Sequence, residues 1–73
     1  MNQKRTAARL AEINLQITEA EARIAQLRAS CEVLHGESLS EVVGRLSTAN
    51  DVRQMLTRYR RTLQTQLAVE KRA

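Results

Sequence analysis

The sequence predicts an all-α protein, an antiparallel αα-hairpin packed in the manner of a coiled coil. Three observations lead there. Apolar residues recur at alternating gaps of three and four along most of the chain. Proline is absent, and glycine occurs only at Gly36 and Gly44, so turn chemistry is almost missing. Gly36 also stands near the middle of the 73 residues, and a turn there leaves two arms of similar length. Each arm of roughly 30 residues would be about 45 Å long if fully helical.

The first arm, about residues 4–35, carries its heptads without a slip: Leu10, Ile13, Ile17, Ala20, Ile24, Leu27, Cys31 and Leu34. Side chains so spaced line one side of a helix and form a seam against a neighbour. A second row of the same spacing runs through Ala8, Ala11, Leu15, Thr18, Ala22, Ala25 and Ala29. Alanine's helix propensity accounts for that row by itself. The alternative is a helix packed on two sides, with methyl-sized residues letting a further helix come close.

A turn over residues 35–38 follows. Gly36 suits the left-handed conformation that ends helices, and His35 would sit well beside the negative end of the helix dipole. Ser38 and Glu41 have the spacing of a capping box for the next helix. So short a connection makes the two arms antiparallel neighbours.

The second arm, about 39–71, is less regular. Leu39, Val42, Leu46 and Ala49 keep heptad phase, after which the inward row reads Val52, Leu56, Tyr59, Leu63 and Leu67, with Met55 beside it. The step Leu46–Ala49–Val52 is three plus three, a stammer. It coincides with Ser47-Thr48-Ala49-Asn50-Asp51, poor helix formers that make good N-caps, so a kink or a short extra helix is predicted near 47–51. Residues 1–73 form one domain on this reading. The seam expected to hold it comprises Leu10, Ile13, Ile17, Ile24, Leu27, Leu34, Leu56 and Leu63.

A chain of this size seldom builds a core worth more than about 3–5 kcal/mol alone. Cys31 is the only cysteine, so an internal disulfide is excluded as a staple. Homodimerisation into a helical bundle is the expected remedy. No apolar run exceeds the three residues Leu67-Ala68-Val69, too short for a membrane span. Lys4 and Arg5 supply the charge of a signal peptide, but no apolar stretch follows them, and a cytoplasmic protein is expected.

Catalytic chemistry finds no purchase in this chain. Two glycines cannot build a phosphate-cradling loop, and one histidine with no sheet to form a cleft does not suggest a nucleophilic triad. No catalytic residue, cofactor or metal is predicted, and the protein is expected not to be an enzyme. The nearest approach to a metal site is Cys31 with His35, four apart and on one helical face if the helix reaches so far. Cys31 already has a place in the seam as a small hydrophobe.

Arginine is the informative residue. Ten of the twelve basic side chains are arginines, and the stretch Val52–Val69 holds Arg53, Arg58, Arg60 and Arg61 with no acid. Arginine forms the more fixed contacts to carboxylate and phosphate. Pairing about Gly36 would set Glu21 near Arg53 and Glu12 near Arg60 and Arg61, which leaves Arg58 unaccounted for. Lys4, Arg5, Arg9, Lys71 and Arg72 cluster at the open end, whereas Glu32, Glu37 and Glu41 surround the turn. Arg53, Arg58, Tyr59, Arg60 and Arg61 are therefore the expected partner-binding residues.

These features predict a protein-binding module, an adaptor, inhibitor or regulator of a larger assembly. The alternative is a basic helical bundle binding RNA or DNA through phosphates. In layout, a heptad-patterned hairpin, the chain resembles the plasmid copy-number regulators, which dimerise into four-helix bundles and bind RNA. No motif is shared, so the resemblance implies a layout and transfers no residue. The small ribosomal hairpin proteins also have a basic second helix, but a less regular first one. With Tyr59 as the only aromatic, stacking on single-stranded bases is weakly provided for, and protein binding is the expected reading.

Overall fold

The computed structural model describes residues 2–72; Met1 and Ala73, the outermost residues of the expected 1–73 domain, lie outside them. Two helices account for all but two of the described residues: α1, Asn2–Val33, and α2, Gly36–Arg72. They pack against each other along a rod with extents of 56 × 14 × 13 Å, an all-α helical hairpin. Both chain ends lie at one end of the rod and the turn at the other.

The turn is tighter than expected. Only Leu34 and His35 stand outside the helices, and Gly36 takes the left-handed conformation, with φ of 66°. An L side chain there would press its Cβ against the backbone. Because α2 starts at Gly36, Ser38 falls inside its first turn and forms no capping box; Glu37 is the acid that meets the positive end of the helix dipole. His35 likewise lies beyond the last turn of α1.

With heptad positions lettered a to g, and a and d facing the other helix, α1 carries Leu10, Ile17, Ile24 and Cys31 at a. Thr6, Ile13, Ala20, Leu27 and Leu34 stand at d. Ile13 and Ile17 pack with Leu56 and Leu63 in a cluster flanked by Leu10 and Ala20. Ile24 and Ala49 are also buried, whereas Leu27, Cys31, Leu34, Leu39, Val42 and Leu46 are half-buried. The seam is thus closed toward the open end of the hairpin and looser toward the turn. No large side chain among the described residues is fully enclosed, because two cylinders in contact leave both flanks of their seam open.

The second arm differs from the expectation in a way that matters for function. α2 runs through 47–51 without a break. Thr48 Oγ1 donates to the Gly44 carbonyl oxygen at 3.2 Å, so the polar side chain is accommodated within the helix instead of capping a new one. No stammer is needed either. The seam continues with strict alternation as Ala49, Arg53, Leu56, Arg60, Leu63, Leu67 and Glu70. Val52 and Tyr59, assigned inward on sequence, are 41% and 38% exposed, and half-buried Arg53 and Arg60 hold the seam positions. A stammer would overwind the pair, whereas an arginine at a can bury its methylene stem and carry its guanidinium to the flank.

Candidate functional site

The polar contacts across the seam sort the arginines. Arg60 donates from Nη1 to Asn14 Oδ1 at 3.4 Å, a long contact to a neutral amide where Glu12 had been expected. Arg53 Nε is buried and has no hydrogen-bond partner, so the expected pairing with Glu21 does not engage it. At the open end Arg9 Nη1 donates to Tyr59 Oη at 2.8 Å. That hydrogen bond raises the Arg9 pKa above its ordinary value. Tyr59, the one aromatic, thereby links the two helices through an exposed hydrogen bond.

A further clasp closes the open end. Thr6 Oγ1 donates to the Glu70 carboxylate, at 2.6 Å to Oε1 and 3.1 Å to Oε2, and Gln66 Nε2 reaches the same hydroxyl at 3.5 Å. Thr6 is 5% exposed, the only buried polar side chain among the described residues. Both Thr6 and Glu70 continue the three–four spacing of their helices. Their spacing is the sequence signal that marks them, and their polarity is what masks it.

Arg58 and Arg61 behave otherwise. Both are exposed, at the f and b positions of α2, on the side away from α1. Neither has an acid three or four residues away, and among the described residues neither guanidinium makes a hydrogen bond. Of the five residues expected to bind a partner, then, Arg58 and Arg61 project outward. Arg53 and Arg60 are drawn into the seam, and Tyr59 bridges to α1.

The exposed apolar residues have their own order. Val52, Met55, Tyr59 and Val69 belong to a second heptad row on α2, at its c and g positions, interspersed with Thr48, Thr62 and Gln66. Beside the row an open groove of ≈ 1150 Å³ runs between the helices, floored by the seam residues Ala20, Leu27, Ala49 and Leu56. The alanine row of α1 is exposed too, but Leu15, 59% exposed, is its only large side chain.

Cys31 is half-buried in the seam, and His35, outside the helix, is not one turn above it on a common face. Among the described residues no three histidine, cysteine or acidic side chains gather as metal ligands, and no helix is long and apolar enough to cross a membrane.

No protein-family model, curated protein or solved structure matches the chain.

Proposed function

We propose that the protein is a non-enzymatic helical binding module of the cytoplasm, a homodimer that presents arginines of α2 to a protein partner and so acts as an adaptor, inhibitor or regulator of a larger assembly. The observation that carries this reading is the pair Arg58 and Arg61, exposed on the outer side of α2 and unmet by any acid of their own helix turns. An arginine so placed contributes little to folding, because even a formed surface ion pair is worth only about 0–1 kcal/mol. Its planar guanidinium is instead suited to bidentate contact with a partner's carboxylate. Arginine is also among the residues enriched at interface hot spots. The homodimer is supported by the thin seam, since the hairpin encloses no large side chain completely among the described residues.

The same arginines would suit phosphate, and the test is arranged to separate the two. The tagged protein is used to capture partners from a lysate of its source cell, with and without nuclease treatment and over a salt series. A captured protein that survives nuclease and weakens only mildly with salt supports the reading. Capture that vanishes with nuclease contradicts it in favour of nucleic acid. So does affinity falling about 10³-fold or more between 50 and 200 mM salt, as for a protein holding several phosphates.

A further inference from the structure

We propose that the long face of the rod bearing the groove and the outer heptad row of α2 is where a second copy of this chain docks, with the two rods antiparallel. The inference rests on the homodimer of the proposed function and adds to it a surface and an orientation.

The area is right for one more copy. The hairpin exposes 5867 Å². A compact protein of its 8.3 kDa mass would expose roughly 4,600 Å², about 1,300 Å² less. A stable interface of ordinary size takes about 800 Å² from each partner. One long side of the rod, 56 × 14 Å, offers about that much in projection.

One long side is the richer in exposed apolar side chains. Val52, Met55 and Tyr59 project from it, and half-buried Leu27 of the seam lies on the floor of its groove. Antiparallel packing of α1 and α2 places their g positions together, as the Arg9–Tyr59 hydrogen bond displays, so α1 lines this side with the polar Arg9, Gln16, Arg23 and Ser30 while α2 supplies its apolar row. The opposite side is formed by the e positions. These are Ala7, Asn14, Glu21 and Arg28 on α1, and Val43, Asn50, Thr57, Gln64 and Lys71 on α2, with Val43 the one large apolar side chain among them.

Charge selects the orientation. Glu32, Glu37 and Glu41 surround the turn, whereas Arg5, Arg9, Lys71 and Arg72 stand at the open end. Antiparallel rods set each acidic turn beside the other copy's basic end, while parallel rods would stack basic end on basic end. The contact is isologous, the same face on both copies, and it closes at two. Arg58 and Arg61 stay outside it, free for the partner.

Two single-cysteine proteins test the face, each carrying Cys31→Ser: one with Met55→Cys, on the face, and one with Leu15→Cys, on the outer side of α1. Sedimentation equilibrium first gives the dimer dissociation constant, and circular dichroism checks that both remain helical. Iodoacetamide alkylation is then timed well below and well above that constant. The expected result is that assembly slows Met55→Cys by about tenfold or more, following the loss of monomer, and leaves Leu15→Cys unchanged. A monomer at every concentration would overturn the homodimer and the face together. A dimer that leaves Met55→Cys unprotected, or that protects both thiols alike, would overturn the face while the homodimer stood. For the orientation, Ser38→Cys and Lys4→Cys proteins in the same background are mixed with a short bis-maleimide. Links between unlike chains are expected, and links between two turns would overturn the antiparallel arrangement.

Discussion

Arg53 and Arg60 stand at seam positions where a helical hairpin ordinarily carries leucine. Polar residues at a positions lower stability and restrict register and partner number, because a mismatched pairing strands them. Arg53 bears that cost visibly, since its Nε is buried without a partner. Arg53→Leu is therefore expected to stabilise the fold by about 1 kcal/mol, from apolar area removed from water, in urea denaturation at fixed protein concentration. A loss of stability would mean the guanidinium has a partner that matters to folding. Thr6 and Glu70 make the opposite case, a polar pair whose hydrogen bonds are formed. A double-mutant cycle with Thr6→Val and Glu70→Gln is expected to give a coupling of about 1 kcal/mol, as for a hydrogen bond to a charged group that keeps some water. Zero coupling would reduce the clasp to coincidence. Neither pair was legible in the sequence under the rule that polar residues lie outside. Spacing was the better guide, because Thr6, Arg53, Arg60 and Glu70 all keep heptad phase.

At the scale of the element, α2 joins two kinds of information that the sequence sets in conflict. Local propensity over Ser47–Asp51 favours a break, whereas the heptad phase of Leu46, Ala49, Arg53 and Leu56 calls for one continuous helix. The helix is continuous because thirty or so residues packed on α1 outweigh a few tenths of a kcal/mol at each polar position. The two-helix architecture, the seam of α1 and the left-handed Gly36 were all legible, since each rests on a pattern many residues long or on a conformation only glycine adopts readily. The outer row of α2 was half legible: its spacing is visible, but the apolar character of Val52 and Tyr59 points to the seam, whereas both are exposed. Gly44 offers a test of the element. A Cβ there meets nothing within 4 Å, so Gly44→Ala is expected to raise stability by about 0.5–1 kcal/mol through helix propensity alone. Gly36→Ala, at φ of +66°, is expected to lower it by about 1–2 kcal/mol. Thermal melting of the two variants checks both signs, and a destabilising Gly44→Ala would imply that something packs on Gly44 in solution.

The whole molecule is a rod with two differently occupied surfaces. The groove side carries the exposed apolar row of α2 beside charged groove walls, whereas the outer side of α2 carries Arg58 and Arg61, whose guanidinium groups make no hydrogen bond among the described residues. Stability and binding should accordingly separate under mutation. Ile17→Ala, at a side chain only 4% exposed, is expected to cost about 2–4 kcal/mol, whereas Leu15→Ala should change stability by about 0.5 kcal/mol or less. The most direct test of the central claim, that the chain binds through arginines its own fold leaves free, is the Arg58→Glu, Arg61→Glu double variant, measured for melting temperature and for partner capture in the same buffer. The account predicts a melting temperature within about 5 °C of the wild type together with lost capture, since interface arginines paired with a buried charge can each carry about 2–5 kcal/mol of binding. Capture at wild-type strength by the folded variant, or collapse of the fold, would contradict it.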